Sequence, residues 1–489
     1  MINLNPSTNW SLLGQGMFSD NELAAIHNAS LDILATTGIY YEEQKARDYY
    51  KQAGADVNDE TKIVKMPKWL VNEAIASAPE SYTFCGRTPA FDFPMVYGNV
   101  GFAPVGVAPA MRDLETGKIR PTVKKDLEDY AHLADQLEYM PMTWHCLQPT
   151  DVPEETAAIH ALECYLKYSR KSTLTATFDH PTAKASIAMA AAVAGGMDKL
   201  RERPTLMAGS CPKSPLTASE AVTASVIEYA KEGLPCKGMP MVLSGATGPV
   251  TLAGTLVQHN CEVLGNLVLS QIVRKGTPFI YGSCTSMMDL RKAQCGTGCA
   301  EHAMFGAAIA RMAHFYKVPS VAPGSWTDSK CMDMQSGMEK AFSALVPAIA
   351  GANIVFGAGG LAGGMSVDFA SLVVENDLFQ MIQFMLKGFT VNDETMAVDL
   401  IKEVGPKGEF LTLPHTAQHM REHQNWPQIF NRDSEAVWKL EGSQPIDEVA
   451  TQKAKELIAN PVAAPLSDSI CEELAYIIKQ TEEELGVNK

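Results

Sequence analysis

Between residues 100 and 390 the chain repeats one short pattern eight times: a β-prone apolar run, then an Ala-rich amphipathic segment. The runs lie at 100–107 (VGFAPVGV), 142–147 (MTWHCL), 172–178 (STLTATF), 204–209 (PTLMAG), 239–244 (MPMVLS), 278–284 (PFIYGSC), 319–323 (PSVAP) and 353–357 (NIVFG). Helical periodicity fills segments such as 183–194, 217–232, 251–275, 299–316, 336–350 and 368–387. Alternating β and α at a period of roughly 30–40 residues predicts a parallel sheet. Eight repeats favour closure into an α/β (β/α)8 TIM barrel over an open doubly wound sheet.

The 489 residues leave room for flanking pieces. We divide the chain into an N-terminal helical cap with short strands (1–98), the barrel (99–390), and a C-terminal lid with helices packed on the barrel (391–489). In the cap, "FSDNELAAIHNASLDILATTG" places Ser19 three residues before Glu22, which is capping-box spacing, and predicts a helix ending near Gly38. "MPKWLVNEAIASAP" predicts a second helix, followed by strand signals at "YTFC" and "FDF". The segment "PKGEFLTLPHTAQHMREHQNWPQIFNR" breaks the rhythm with three histidines, Trp426 and two arginines, as a lid over the barrel mouth would.

Apolar residues make up 46% and charged residues 20%, which excludes a disordered chain. No apolar run is long enough to span a bilayer, and the opening "MINLNPSTNWSLLGQG" lacks the basic and apolar regions of a signal peptide. Eleven scattered cysteines without a C-x-x-C pair predict reduced thiols and a cytoplasmic protein. A net charge of -16 argues against nucleic acid and anionic lipid as partners and tolerates cations. The 24 methionines suit adaptable core packing or a soft apolar interface, and with the apolar helices predict a homo-oligomer.

Barrel chemistry sits at the C-terminal ends of the strands. The residues just beyond the runs are Gln148, Asp179, His180, Ser210, Ser244, Ser283, Trp326, Asp328 and Gly359. Cys295, Cys299 and His302 have spacings that could share a helix face, but Gly296 and Gly298 interrupt it and no fourth ligand is evident; we expect no metal. "FGAGGLAGGMS" (356–366) is not a dinucleotide fingerprint, since Ala362 breaks G-x-G-x-x-G and no Walker lysine follows. In "GSWTDSKCMDMQSGMEKA" (324–341), Trp326 with Asp328 and Asp333 fits a quaternary ammonium held by cation–π attraction, and equally a packed indole beside a helix cap. Arg311 and His314, three apart on a helix, could hold a carboxylate or serve the helix dipole. No G-x-S-x-G elbow is present.

At "MMDLRKAQCGTGCAEHAM", "SWTDSKCMDMQSGMEKAFSALVPAIAGANIVFGAGGLAGGMS" and "NDETMAVDLIKEVGPKGEFLTLPHT" the sequence resembles the trimethylamine methyltransferase superfamily. The match runs from about residue 20 and is densest over 278–432. The resemblance implies a (β/α)8 barrel that moves a methyl group from a methylated amine to the cobalt of a separate corrinoid protein. The founding type carries pyrrolysine; this sequence does not, which points to the non-pyrrolysine branch, similar to glycine betaine–corrinoid methyltransferases. Where relatives read "MDMKTG…PE", this chain has "MDLRKA…AE", keeping Glu301.

The resemblance implies a quaternary amine as substrate, glycine betaine first, with carnitine and proline betaine as alternatives. No cofactor is then bound tightly by this chain, and cobalamin comes with the corrinoid partner. On this reading Trp326, Tyr281 and Tyr97 wall the cation; Arg311, Arg291 or His415 holds a substrate carboxylate; Glu301 and Asp328 act at the reaction centre. Gly357, Gly359, Gly360 and Gly363 face the corrinoid. A metal-dependent barrel lyase or hydrolase using Glu301 or Asp328 as base is the competing class.

Overall fold

The computed structural model describes residues 18–487; the opening stretch read for a signal peptide lies outside them. Eight βα units are present. The strands are β1 (Gly101–Pro104), β2 (Met142–Thr143), β3 (Ser172–Ala176), β4 (Leu206–Gly209), β5 (Cys236–Gly238), β6 (Phe279–Gly282), β7 (Ser320–Pro323) and β8 (Ile354–Ala358). Each is followed by its helix: α1 (Lys124–Gln136), α2 (Ala157–Tyr168), α3 (His180–Ala194), α4 (Glu220–Glu232), α5 (Leu252–Val273), α6 (Ala300–Tyr316), α7 (Met334–Ile349) and α8 (Phe369–Lys387). Other short strands are given by their residues.

The strands form two parallel sheets, ordered β4-β3-β2 and β5-β6-β7-β8-β1. Burial on both faces explains why charged residues are nearly absent from them. Backbone hydrogen bonds cross from one sheet to the other at both seams. Ala208 N donates to Pro235 O (3.0 Å) and Met239 N to Ser210 O (3.0 Å); Val107 N donates to His145 O (2.8 Å) and Ala108 N to Cys146 O (2.8 Å). The fold is therefore mixed α/β with mostly parallel sheets.

The expected fifth strand at 239–244 falls a few residues early, at Cys236–Gly238. Pro240 has no N–H to give a ladder, and the bonded stretch is the preceding "CKG", whose lysine disguised it. Leu243–Ser244 instead pairs with Ser286–Asp289, which forms a hairpin with Gln294–Gly296.

Helix starts follow side-chain caps. Asp179 accepts from Thr182 N (2.7 Å), Asp333 from Ser336 N (2.8 Å) and Asp368 from Ala370 N (2.9 Å). Ser19 and Glu22 close the expected capping box on the helix Asp20–Thr36. That helix, with Gln44–Gln52 and Lys68–Ser77, packs over α5. The cover explains why α5 is buried nearly all round. Tyr50 Oη donates to Gly265 O (2.6 Å) and Asn260 Nδ2 to Ser30 Oγ (2.9 Å) across this contact. At the other end of the chain Ile446–Ala459 lies on α8 and α1, and Asp468–Leu485 on α3 and α2. Among the described residues no helix is long and apolar enough to cross a membrane.

Candidate functional site

A cavity of about 390 Å³ opens at the C-terminal ends of the parallel strands. Every strand sends at least one residue to it: Val107 after β1, Trp144 after β2, Ala176 on β3, Gly209 on β4, Lys237 on β5, Cys284 after β6, Trp326 after β7 and Phe356 on β8. A larger recess of about 800 Å³ near Trp426 and Val449 touches none of these strands.

One wall is a connected row of rings. Trp144 stacks on Phe356 (centroids 5.5 Å apart, 17° between planes), and Trp326 meets Phe356 edge-on (5.7 Å, 89°). His302 meets Trp326 edge-on in turn (5.8 Å, 75°). The Trp326 indole is pinned: its Nε1–H donates to Phe356 O (2.9 Å). Gly357 and Gly364 make the room for it. At φ +140°, a Cβ on Gly357 would lie 2.2 Å from Trp326 Cδ1, and one on Gly364 2.5 Å from Cζ3. Ser325, at φ +60°, aims the following Trp326. It is held from below by Glu375, a buried carboxylate that accepts from Ser325 Oγ, Lys340 Nζ (2.7 Å), Gly359 N (2.8 Å) and Ser371 Oγ (2.7 Å).

Besides the hydroxyls of Thr177, Ser210, Ser219 and Thr297, a lysine and a histidine interrupt the apolar lining. Lys237 is 1% exposed, with Nζ 4.5 Å above the Trp144 ring and 3.3 Å from Met239 Sδ. Burial pushes its ammonium down to about 8, with the nearby Cys284 and Cys211 thiols acting in the opposite sense. His302 is 1% exposed and lies beside the Thr285 backbone. Burial pushes its ring down to about 4, so it is neutral at ordinary pH.

The structure gathers part of the expected set. Trp326 lines the cavity. Asp328 stands just behind it, accepting from Thr297 N (2.9 Å), Thr297 Oγ1 (2.8 Å) and Gly298 N (3.2 Å), and so fixes a loop whose Thr297 reaches the cavity. Glu301 sits in the first turn of α6, outside the lining. Gly357 cushions the indole, Gly359 faces Leu372, Gly360 faces Val105, and Gly363 faces Thr297.

The others lie elsewhere, for plain reasons of direction. Tyr281 points away from the cavity, and its hydroxyl donates to Asn260 Oδ1 on α5 (2.8 Å). Tyr97 precedes β1 and lies at the opposite end of the strands, against His314 (4.6 Å). Arg311 is eleven residues into α6, about 15 Å along the helix from its start, and pairs with Asp20 (3.5 Å). Arg291, on the hairpin tip, is 87% exposed and pairs with Asp289 (3.1 Å). His415 packs at a tilt against His419 (4.4 Å) in an exposed helix whose Glu422 reaches Lys387 (3.7 Å), at the far end of α8. Ile429 N and Phe430 N bind Asp377 midway along α8, so the 406–432 stretch runs beside that helix and does not cover the mouth. Among the described residues no three of His, Cys, Asp and Glu gather closely enough to hold a metal.

Sequence reasoning passed over Trp144, Lys237 and Phe356 and weighed His302 only as a metal ligand. Trp144 and Phe356 lay inside recognised runs. Lys237, a lone charge between Pro235 and Pro240 at the strand period, carried a signal that was there to be read.

Comparison with known proteins gives this geometry its class. A family model described as trimethylamine methyltransferase (MTTB) matches residues 10–486. The trimethylamine methyltransferase MttB of Desulfitobacterium hafniense (strain DSM 10664 / DCB-2) is 37% identical over 474 residues, 97% of this chain and 95% of its own. The MttB of Methanosarcina barkeri is 32% identical, covering 95% of each chain, and a glycine betaine methyltransferase of Desulfitobacterium hafniense (strain Y51) is 30% identical, covering 96% and 98%. The Methanosarcina barkeri monomethylamine methyltransferase MtmB shares the fold, with a TM-score of 0.54 at 12% identity over 92% of each chain. The protein is thus an α/β enzyme, a methyltransferase. It belongs to the trimethylamine methyltransferase (MTTB) family, which takes methyl groups from amines.

Proposed function

We propose that this enzyme removes a methyl group from a quaternary amine, glycine betaine in the first place, and delivers it to the Co(I) of a corrinoid carried by a separate protein. Dimethylglycine is the other product; carnitine and proline betaine would follow the same chemistry. The observation that carries the reading is the ring-walled cavity itself, reached by all eight strands and lined by no carboxylate. The glycine betaine methyltransferase relative supports the substrate class.

A quaternary nitrogen departs as a neutral tertiary amine once its methyl is displaced. No proton need reach the leaving group, which suits a cavity whose histidine is neutral and whose acids, Glu301 and Asp328, stand behind the lining. The residues' work is to bind, orient and dry the cation. The Trp326 and Phe356 rings offer cation–π attraction of about 0.5–2 kcal/mol, and Asp328 and Glu375 set the loops that carry the indole. The corrinoid, when docked, supplies the reduced cobalt nucleophile. Phe178 (54% exposed), on the cavity lining, would offer it apolar surface.

We also read the two parallel sheets as arcs of one (β/α)8 barrel, on the strength of the hydrogen bonds at both seams. In that reading the described part of 1–98 caps α5, and the described part of 391–489 flanks α8, α1, α3 and α2. Free cysteines throughout the described residues support a reducing, cytoplasmic setting.

The test mixes the enzyme, a corrinoid protein reduced to Co(I), and glycine betaine, carnitine, proline betaine, choline or trimethylamine. Absorbance follows consumption of Co(I), and chromatography follows the demethylated amine. Conversion of glycine betaine is expected; conversion of none of the five overturns the proposal.

A further inference from the structure

We propose that Lys237 binds an anionic group carried by the substrate itself, so that the cavity selects zwitterionic amines and turns away amines that are cations only. Lys237 is the one charged residue lining the cavity. It is 1% exposed, with a tryptophan face and a thioether as its contacts and the Cys211 and Cys284 thiols nearby. Among the described residues no carboxylate pairs with it. A buried ammonium without a counter-ion is costly, and proteins usually place Asp or Glu beside one. Here the place beside it is open cavity.

The consequence follows from charge alone. A permanently cationic ligand entering this cavity meets a like charge and no protein anion to offset it. A ligand that brings its own carboxylate supplies the missing partner and cancels its own repulsion. The row of rings separates the two functions. Lys237 stands over Trp144 at one end, and Trp326 with the neutral His302 stands at the other. A zwitterion can therefore lay its carboxylate toward Lys237 and its ammonium toward Trp326. His302 cannot take the anchoring role as a cation, because burial keeps it neutral. The inference deepens the proposed amine reading by naming what else the amine must carry. Lys237 is thereby the specificity-determining residue that the arginines and His415 were expected to supply.

The experiment uses calorimetric binding, with no corrinoid present, on the wild-type enzyme and on Lys237→Met. The probes are glycine betaine, choline, tetramethylammonium, and 3,3-dimethylbutyrate, the uncharged-carbon counterpart of glycine betaine. Wild type should bind glycine betaine at least tenfold tighter than choline or tetramethylammonium, and 3,3-dimethylbutyrate should compete with it. Lys237→Met should weaken glycine betaine about 100-fold, the scale of unpairing a buried charge contact. It should leave tetramethylammonium unchanged or tighter, with an unaltered melting temperature. A residue that merely supported Trp144 would weaken all four probes alike. Equal wild-type affinity for zwitterions and plain cations overturns the inference whether or not the variant folds, and leaves amine demethylation standing. Failure of every amine probe to bind wild type removes both this inference and the proposed function.

Discussion

Glu375 is the buried hub under Trp326, and its charge can be removed with little change of shape by Glu375→Gln. Its side chain is 3% exposed and that of its partner Lys340 is 4% exposed, so the 2.7 Å pair is shielded from water. The amide keeps one oxygen for Gly359 N or Ser371 Oγ, but Lys340 is left as a buried cation without an anion. Breaking such a pair from one side costs about 3–5 kcal/mol. Ser325 also loses its tether while still held at φ +60°; relaxation there would let Trp326 swing and weaken amine binding about tenfold, or ~1.4 kcal/mol. We expect the thermal midpoint to fall by about 3–10 °C, the near-UV circular dichroism of the tryptophans to change, and glycine betaine affinity to drop. The double variant Lys340→Met/Glu375→Gln should recover most of the midpoint, since no charge then remains buried and alone. An E375Q unfolding free energy within about 1 kcal/mol of wild type, or a double variant no better than the single, would refute the reasoning.

At Trp326, Leu should weaken amine binding about 30-fold while Phe, which keeps a ring face, should cost only a few-fold; calorimetry giving equal losses would take the ring out of the pocket. Asp328→Asn should lower kcat only a few-fold and leave its pH profile in place, because Asp328 holds Thr297 and Gly298 and does not line the cavity; a loss beyond about 1,000-fold in steady-state kinetics would make it a catalytic acid or base. Glycine betaine affinity should be level below pH 8 and fall as pH rises through about 8, where the depressed Lys237 gives up the proton that binds the carboxylate. Cys211 and Cys284 face Lys237, and a thiolate there would compete for it; titration of a Cys211→Ser/Cys284→Ser variant should keep the same sign, and affinity rising with pH would contradict the assignment.

Most of the fold was legible because burial writes a plain signature. Strands covered on both faces are short and mostly uncharged, as in "IVFGA", and their helices repeat Ala and Leu at helical spacing. The misplaced β5 shows the limit of that signature: Lys237 breaks the apolar run because it serves the cavity, and "MPMVLS" looks more like a strand than "CKG" does. The site was less legible for a geometric reason. Which face a strand side chain takes depends on register, so Tyr281 looked like a pocket residue and turned out to bind Asn260 on α5. Positions far along helices or before strands, such as Arg311 and Tyr97, lie at the wrong end of the sheet however suitable their chemistry.

The same point applies to charge. A chain at -16 invites the thought that its ligand is drawn in as a cation, and summed over the surface that holds. Inside the cavity the balance is reversed: the lining holds one lysine and no acid. Dissolved salt at about 0.1 M screens the surface charges within about 10 Å, while the buried ammonium over Trp144 is screened far less from whatever enters. Selection among amines therefore turns on one residue in a three-residue strand.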